Sequence, residues 1–176
     1  MKLADVFNYE NGMFSPLRDA ARKVTAAMQN ANRGLDAMKE WVLIEMGLLH
    51  TSDAIHAVAH KQPAYFDTIG DILHQRHLMQ EYPATEEYTK RPDDMDGVFE
   101  EIMRLLREND EALKDFIRVC DENAQYALAR QAETIQIENS EDCTKFLMAW
   151  QMYDMTDASA TSYDNWILHL FEGGDN

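Results

Sequence analysis

The stretch PAYFDTIGDILHQRHLMQEY, residues 63–82, sorts into two faces when read as a helix. At about 100° per residue, Tyr65, Ile69, Ile72, Leu73 and Met79 share one side. Asp67, Asp71, His74, His77 and Glu81 share the other, within an arc of about 120°. All five polar side chains are capable metal ligands. A solvated helix face is one reading of this stripe. A metal site or a polar subunit contact is the other.

Upstream, Ser15-Pro16 reads as an N-cap followed by proline at the first helical position. A first helix is predicted from Pro16 to about His50, with Leu17, Ala20, Val24, Met28, Leu35, Met38 and Val42 keeping the period. Thr51-Ser52-Asp53 supplies a stop and a new cap, Ala54–His60 a short helical piece, and Pro63 the opening of the second main helix. That helix is expected to end at Tyr82-Pro83.

Downstream, residues 83–96 form a long connection with a proline near each end. Asp94 or Asp96 then caps a third helix, predicted to run to Leu128 without a break at Asn109-Asp110, because the apolar seam resumes in phase. A turn is expected around Glu138-Asn139-Ser140, and a last helix from Glu141 to about Leu170, closed by Gly173-Gly174. Residues 1–15 read as an irregular segment, 171–176 as a tail, and 1–176 as a single domain. The pattern predicts an all-α four-helix bundle with a long crossover between helices two and three.

Composition agrees. Hydrophobic residues make up 45% and charged residues 27%, an ordinary globular balance, and strong helix formers dominate. The net charge of −16 opposes nucleic acid and anionic membrane as partners and favours cations. Cys120 and Cys143 make no disulfide framework and no C-x-x-C pair, so they read as buried thiols. No signal-like or membrane-length apolar run occurs, which points to the cytoplasm.

Two constellations carry metal chemistry. His77 and Glu81 stand at i, i+4 and can share an ion, with His50 upstream. Asp53-x-x-His56-x-x-x-His60 forms a second corner, and Asp71-x-x-His74 repeats its first spacing. A di-iron centre inside the bundle needs E-x-x-H on two main helices. The C-terminal half has no E-x-x-H and only His169, so that centre is not expected.

At His50, His77 and Glu81 the sequence resembles the Dps group of ferritin-like proteins, the miniferritins. In that family a His ends the first long helix and a D-x-x-x-E pair follows on the second. Here His77 stands where the family has Asp. Asp67 lies near the Asp of an early second-helix His/Asp pair. Pro63 stands where that His would be, with His60 the nearest substitute. Tyr82-Pro83-Ala84-Thr85 resembles the family's interface segment, and Thr144–Leu147 and Tyr163–Trp166 resemble the two ends of its final helix. The family's His-Trp pair is absent, since Thr51 follows His50.

The resemblance implies a hollow homo-oligomer, a dodecamer, that oxidises Fe(II) with peroxide or oxygen at shared sites and stores the ferric mineral. It implies His50, His77 and Glu81 as ligands, Asp67 as a fourth, and His60, Asp71 and His74 beside them. Two rivals stand next to it. One is an assembly protein on the same bundle without an iron centre. The other is a mononuclear zinc or iron protein using Asp53, His56 and His60.

Overall fold

The computed structural model describes residues 15–75, 78–85, 87–155 and 159–172. Its helices are α1 (Ser15–Trp41), α2 (Leu49–His74), α3 (Met95–Glu122), α4 (Tyr126–Met155) and α5 (Ala160–Glu172). No strand occurs among the described residues. α1 packs on α2 and α3, α4 packs on α3 and α2, and α5 lies against α2 and α4.

Cross-helix bonds fix the directions. Asp36 meets His56, and Ser52 Oγ donates to the Lys39 carbonyl, so α1 and α2 are antiparallel. Lys23 meets Asp115 while Leu105 closes over Gly34, so α1 and α3 are antiparallel. Lys61 with Asp142 and Tyr65 with Glu138 set α4 antiparallel to α2. α2 and α3 therefore run parallel, which only a long connection allows. This is the expected bundle with its crossover.

The apolar seams meet in two clusters. One gathers Leu35, Val42, Ile55, Phe99, Ile102 and Phe146; the other gathers Leu17, Met28, Ile69, Leu73, Leu113 and Phe116. Each fully buried side chain of this size contributes roughly 1.5–3 kcal/mol. Between the clusters lies a polar layer, described below.

Helix boundaries differ from the sequence pattern in five places. The first helix does not reach His50. A π-helical turn at Val42–Met46 and Gly47, left-handed at φ 67°, end it earlier. Thr51-Ser52-Asp53 is then no stop; it sits in the first turn of α2. Leu48 provides no side-chain cap there. Asp164 of α5 does so instead, accepting the backbone N–H groups of His50 and Thr51 at 2.9 and 2.8 Å. A carboxylate at that position also suits the helix dipole.

Pro63 does not open a helix. α2 runs straight through it. Proline has no N–H for the carbonyl four residues earlier, that of Ala59. Asn32 of α1 replaces the missing donor, its Nδ2 reaching Ala59 O at 3.0 Å.

The stripe of residues 63–82 is cut after His74. Beyond it the buried Gln80 folds back on the flank of α2, donating to Phe66 O at 2.7 Å and to Thr25 Oγ1 at 3.3 Å. Gly70 makes the space, since a Cβ there would stand 1.9 Å from Gln80 Oε1. Finally, the turn expected at Glu138–Ser140 falls at Asn123-Ala124, where Ala124 takes φ 54°. Asn139 is buried in mid-α4, and the last helix is divided into α4 and α5. Asp94 caps α3 as predicted, accepting from Gly97 N, and α3 passes Asn109-Asp110 unbroken before ending at Glu122 rather than Leu128. Gly173-Gly174 lie outside the described residues.

The crossover is anchored on Glu101, only 5% exposed, which accepts bonds from Tyr88, Lys90 and Arg104. Burial works against the Glu101 charge, but the bonds from Arg104, Lys90 and Tyr88 outweigh it and hold the carboxyl down at about 2.

Two outcomes are expected. Asn32→Ala should cost about 1–2 kcal/mol in urea unfolding, and close to nothing in a Pro63→Ala background, where residue 63 donates its own N–H. Equal costs in both backgrounds would refute the role of Asn32. The stability supplied by Glu101 should be complete above about pH 4.5 and lost as pH falls towards 2. Glu101→Gln should flatten that acid limb and cost on the order of 2–3 kcal/mol near neutrality. An acid limb unchanged in urea midpoints would sink this account.

Candidate metal centre

The interior layer separates the two apolar clusters. Gln62 of α2, Asn109 of α3 and Asn139 and Asp142 of α4 are all buried there. Asn109 Nδ2 donates to Gln62 Oε1 at 2.8 Å, and Gln62 Nε2 donates to Val58 O at 3.2 Å. Asn139 Nδ2 donates to Leu106 O at 2.9 Å. Lys61 Nζ reaches both oxygens of Asp142, at 2.8 and 2.9 Å. Burial pushes the Asp142 carboxyl up, against the pull of Lys61. The Tyr65 hydroxyl donates to Glu138 at 2.8 Å. Burial, then that bond, pushes its phenol far above the ordinary range. The Cys143 thiol beside this layer is pushed up to about 11 by burial, with Asp110 and Asp142 adding to it, so it is no activated nucleophile.

The second arrangement lies on the hairpin of α1 and α2. Asp36 Oδ1 stands 3.0 Å from His56 Nδ1. The His56 and His60 rings meet with centroids 4.1 Å apart, close to edge-on at 69°. One ligand atom from each of Asp36, His56 and His60 lies within 4.8 Å of the others. α2 positions both imidazoles, since i and i+4 share a face. α1 brings Asp36 across. His56 and Asp36 are both about two-fifths exposed, with side-chain exposures of 41% and 40%, so the group faces solvent. Two imidazoles and one carboxylate with open positions fit Fe(II), and they also fit Zn(II).

Sequence spacing paired His56 with Asp53. The exposed Asp53 stays outside this group, and the carboxylate comes instead from Asp36, twenty positions before His56. Asp36 carries no local signal in the sequence: it stands one turn from Asn32 on α1, and both meet α2 only in the folded chain. Of the other expected residues, His50 sits in the first turn of α2, with its backbone on Asp164. Asp67, Asp71 and His74 are exposed along α2. Glu81 lies in the crossover, 3.5 Å from Arg18 and 3.6 Å from Arg22. His77 lies outside the described residues. Among the described residues, no group of three metal-capable donors contains His50, Asp67, Asp71, His74 or Glu81.

The overall fold compares with solved structures. The fold is ferritin-like. An iron-soaked variant of the ferritin PmFTN matches with a TM-score of 0.72 at 13% identity, over 85% of this chain and 98% of that one. The M. penetrans ferritin matches at 0.76 with 9% identity, over 93% and 98% of the two chains. The open-pore ferritin of the hyperthermophilic archaeon Archaeoglobus fulgidus matches at 0.75 with 15% identity, over 93% and 98%. At such identities the likeness establishes the fold alone. No family model and no curated protein matches the sequence.

Lys61→Met leaves Asp142 buried beside a thioether, so it should cost about 2–3 kcal/mol. Lys61→Met with Asp142→Leu should cost less than half of that, because no buried charge remains. Chemical denaturation of the two variants checks this, and a double variant weaker than the single one would contradict it.

Proposed function

We propose that this chain is a ferritin-fold iron-binding protein whose cargo, Fe(II), is held at Asp36, His56 and His60. The observation that carries the reading is the convergence of those three donors within 4.8 Å. Neutral imidazoles and a carboxylate are borderline-hard ligands that suit Fe(II), and the open positions leave room for water or oxidant. The net charge of −16 raises the local concentration of cations around the site.

The finer reading adds assembly. It takes the chain as a cytoplasmic homo-oligomer that stores iron after oxidation with oxygen or peroxide, as in the Dps family. Large apolar side chains left exposed at the tip of the hairpin, Leu43, Ile44, Met46 and Leu49, support contact with further copies. In this reading oxidation takes place on the outer hairpin face.

Anaerobic Fe(II) titration by equilibrium dialysis tests the site. About one tightly held ion per chain is expected, with affinity reduced at least about tenfold in Asp36→Ala and abolished in His56→Ala/His60→Ala. Asp53→Ala should bind as the unchanged chain does. Undiminished binding in the double His variant would overturn the assignment. Loss in Asp53→Ala alone would return the site to the local Asp53-His56-His60 corner.

A further inference from the structure

A two-metal centre inside a ferritin-like bundle uses an inward Glu from each of two helices and a Glu-x-x-His pair from each of the other two. The polar layer of this chain keeps the spacing and changes the chemistry. α2 offers Gln62-x-x-Tyr65 and α4 offers Asn139-x-x-Asp142, both at i, i+3. α3 offers Asn109. On α1, Met28 and Ala31 are fully buried, and Gln29 between them also has its amide oxygen buried. Outside α1, the carboxylates and imidazoles of such a centre are thus replaced by three carboxamides, a phenol and one carboxylate.

We propose that this layer is a metal-free polar lock that takes water rather than a transition metal, with the Lys61 ammonium as its built-in cation. Four observations support it. Carboxamides carry no charge, so they do not offset the charge of divalent or trivalent iron in a buried place. Both oxygens of Asp142 are already engaged by Lys61. The Tyr65 hydroxyl is held protonated by its bond to Glu138, which removes the phenolate as a ligand. Asn109 donates an amide N–H to the Gln62 amide oxygen, a pairing that forms without any ion.

The identity of the guest follows from what is left over. Asn109 Oδ1 and Asn139 Oδ1 are buried and have no hydrogen-bond partner in the structure. Two acceptor oxygens in a layer where Lys61 is already spent on both oxygens of Asp142 call for O–H donors, and water supplies them. The lock also explains the site described above: with the interior closed to iron, metal ligands converge on the outer face of the hairpin. This inference does not depend on that outer site being an iron site.

Anaerobic Co(II) titration, followed by visible absorption and by bound metal per chain, separates the two places. The probes are the unchanged chain, His56→Ala/His60→Ala, and the latter with Asn109→Leu added. His56 and His60 lie on the outer face, so the double variant should keep its helical melting curve. The unchanged chain should bind Co(II), and the double variant should bind none. On admission of oxygen, Fe(II) should then be oxidised by the double variant no faster than in buffer. Residual Co(II) in the double variant that is lost on adding Asn109→Leu would overturn the lock. Fast residual Fe(II) oxidation sensitive to the same change would do so too. Binding by neither protein would uphold the lock and overturn the outer iron site, so the two failures are distinguishable.

Discussion

Asn32 lets a helix pass through a proline, and the working geometry of this bundle depends on that bond. Without a donor for the Ala59 carbonyl, Pro63 would kink or stop α2 beside His60. With Asn32 Nδ2 at 3.0 Å from that carbonyl, α2 is one element from Leu49 to His74. His56 and His60 therefore keep a common face, and Gln62 and Tyr65 keep theirs towards the interior. The bond also ties α1 to α2 one turn away from Asp36. A single side-chain amide thus sets the phase of α2 and the approach of the helix that brings Asp36 to His56 and His60.

The two ends of α2 are fixed by equally specific devices. Asp164 comes from the far end of the chain to accept the N–H groups of His50 and Thr51, which couples α5 to the hairpin. Gln80 seats in the space beside Gly70 and turns the chain into the crossover. The crossover is then pinned at Glu101. These contacts hold a long, otherwise irregular connection against the helices, and each uses a buried polar group with its hydrogen bonds satisfied.

Inside, the mid-bundle layer carries amides and a buried carboxylate, Asp142, that is already paired with Lys61. In the layer of Gln62, Asn109 and Asn139 the amide N–H groups are spent on one another and on backbone carbonyls, with no ion needed for those bonds. A ring of unpaired buried carboxylates would be costly in the metal-free chain. Outside, the surface is strongly acidic, and imidazoles cluster on the hairpin. Charge that favours cations is therefore placed where desolvation is slight, while the buried carboxylates Asp142 and Glu101 are each paired with a cation.

Much of this was legible in the sequence. Helix formers without strand-like alternation announced an all-α chain, the apolar seams of α1 and α3 were readable residue by residue, and the long segment after residue 82 required a crossover. His56 and His60 stood out by local spacing. Three of the errors share one cause. Thr51-Ser52, Pro63 and Asn139 are local helix-breaking signals, and each was overridden by a partner from another helix: Lys39 O for Ser52, Asn32 for Pro63, Leu106 O for Asn139. Asp36 was missed because its meeting with His56 is tertiary. Local propensity and periodicity depend on neighbours along the chain, so the sequence by itself determined the class, the seams and the charge. Which breaker is tolerated, and which carboxylate faces which imidazole, depends on donors and acceptors brought in from distant segments, and only the tertiary structure decided those.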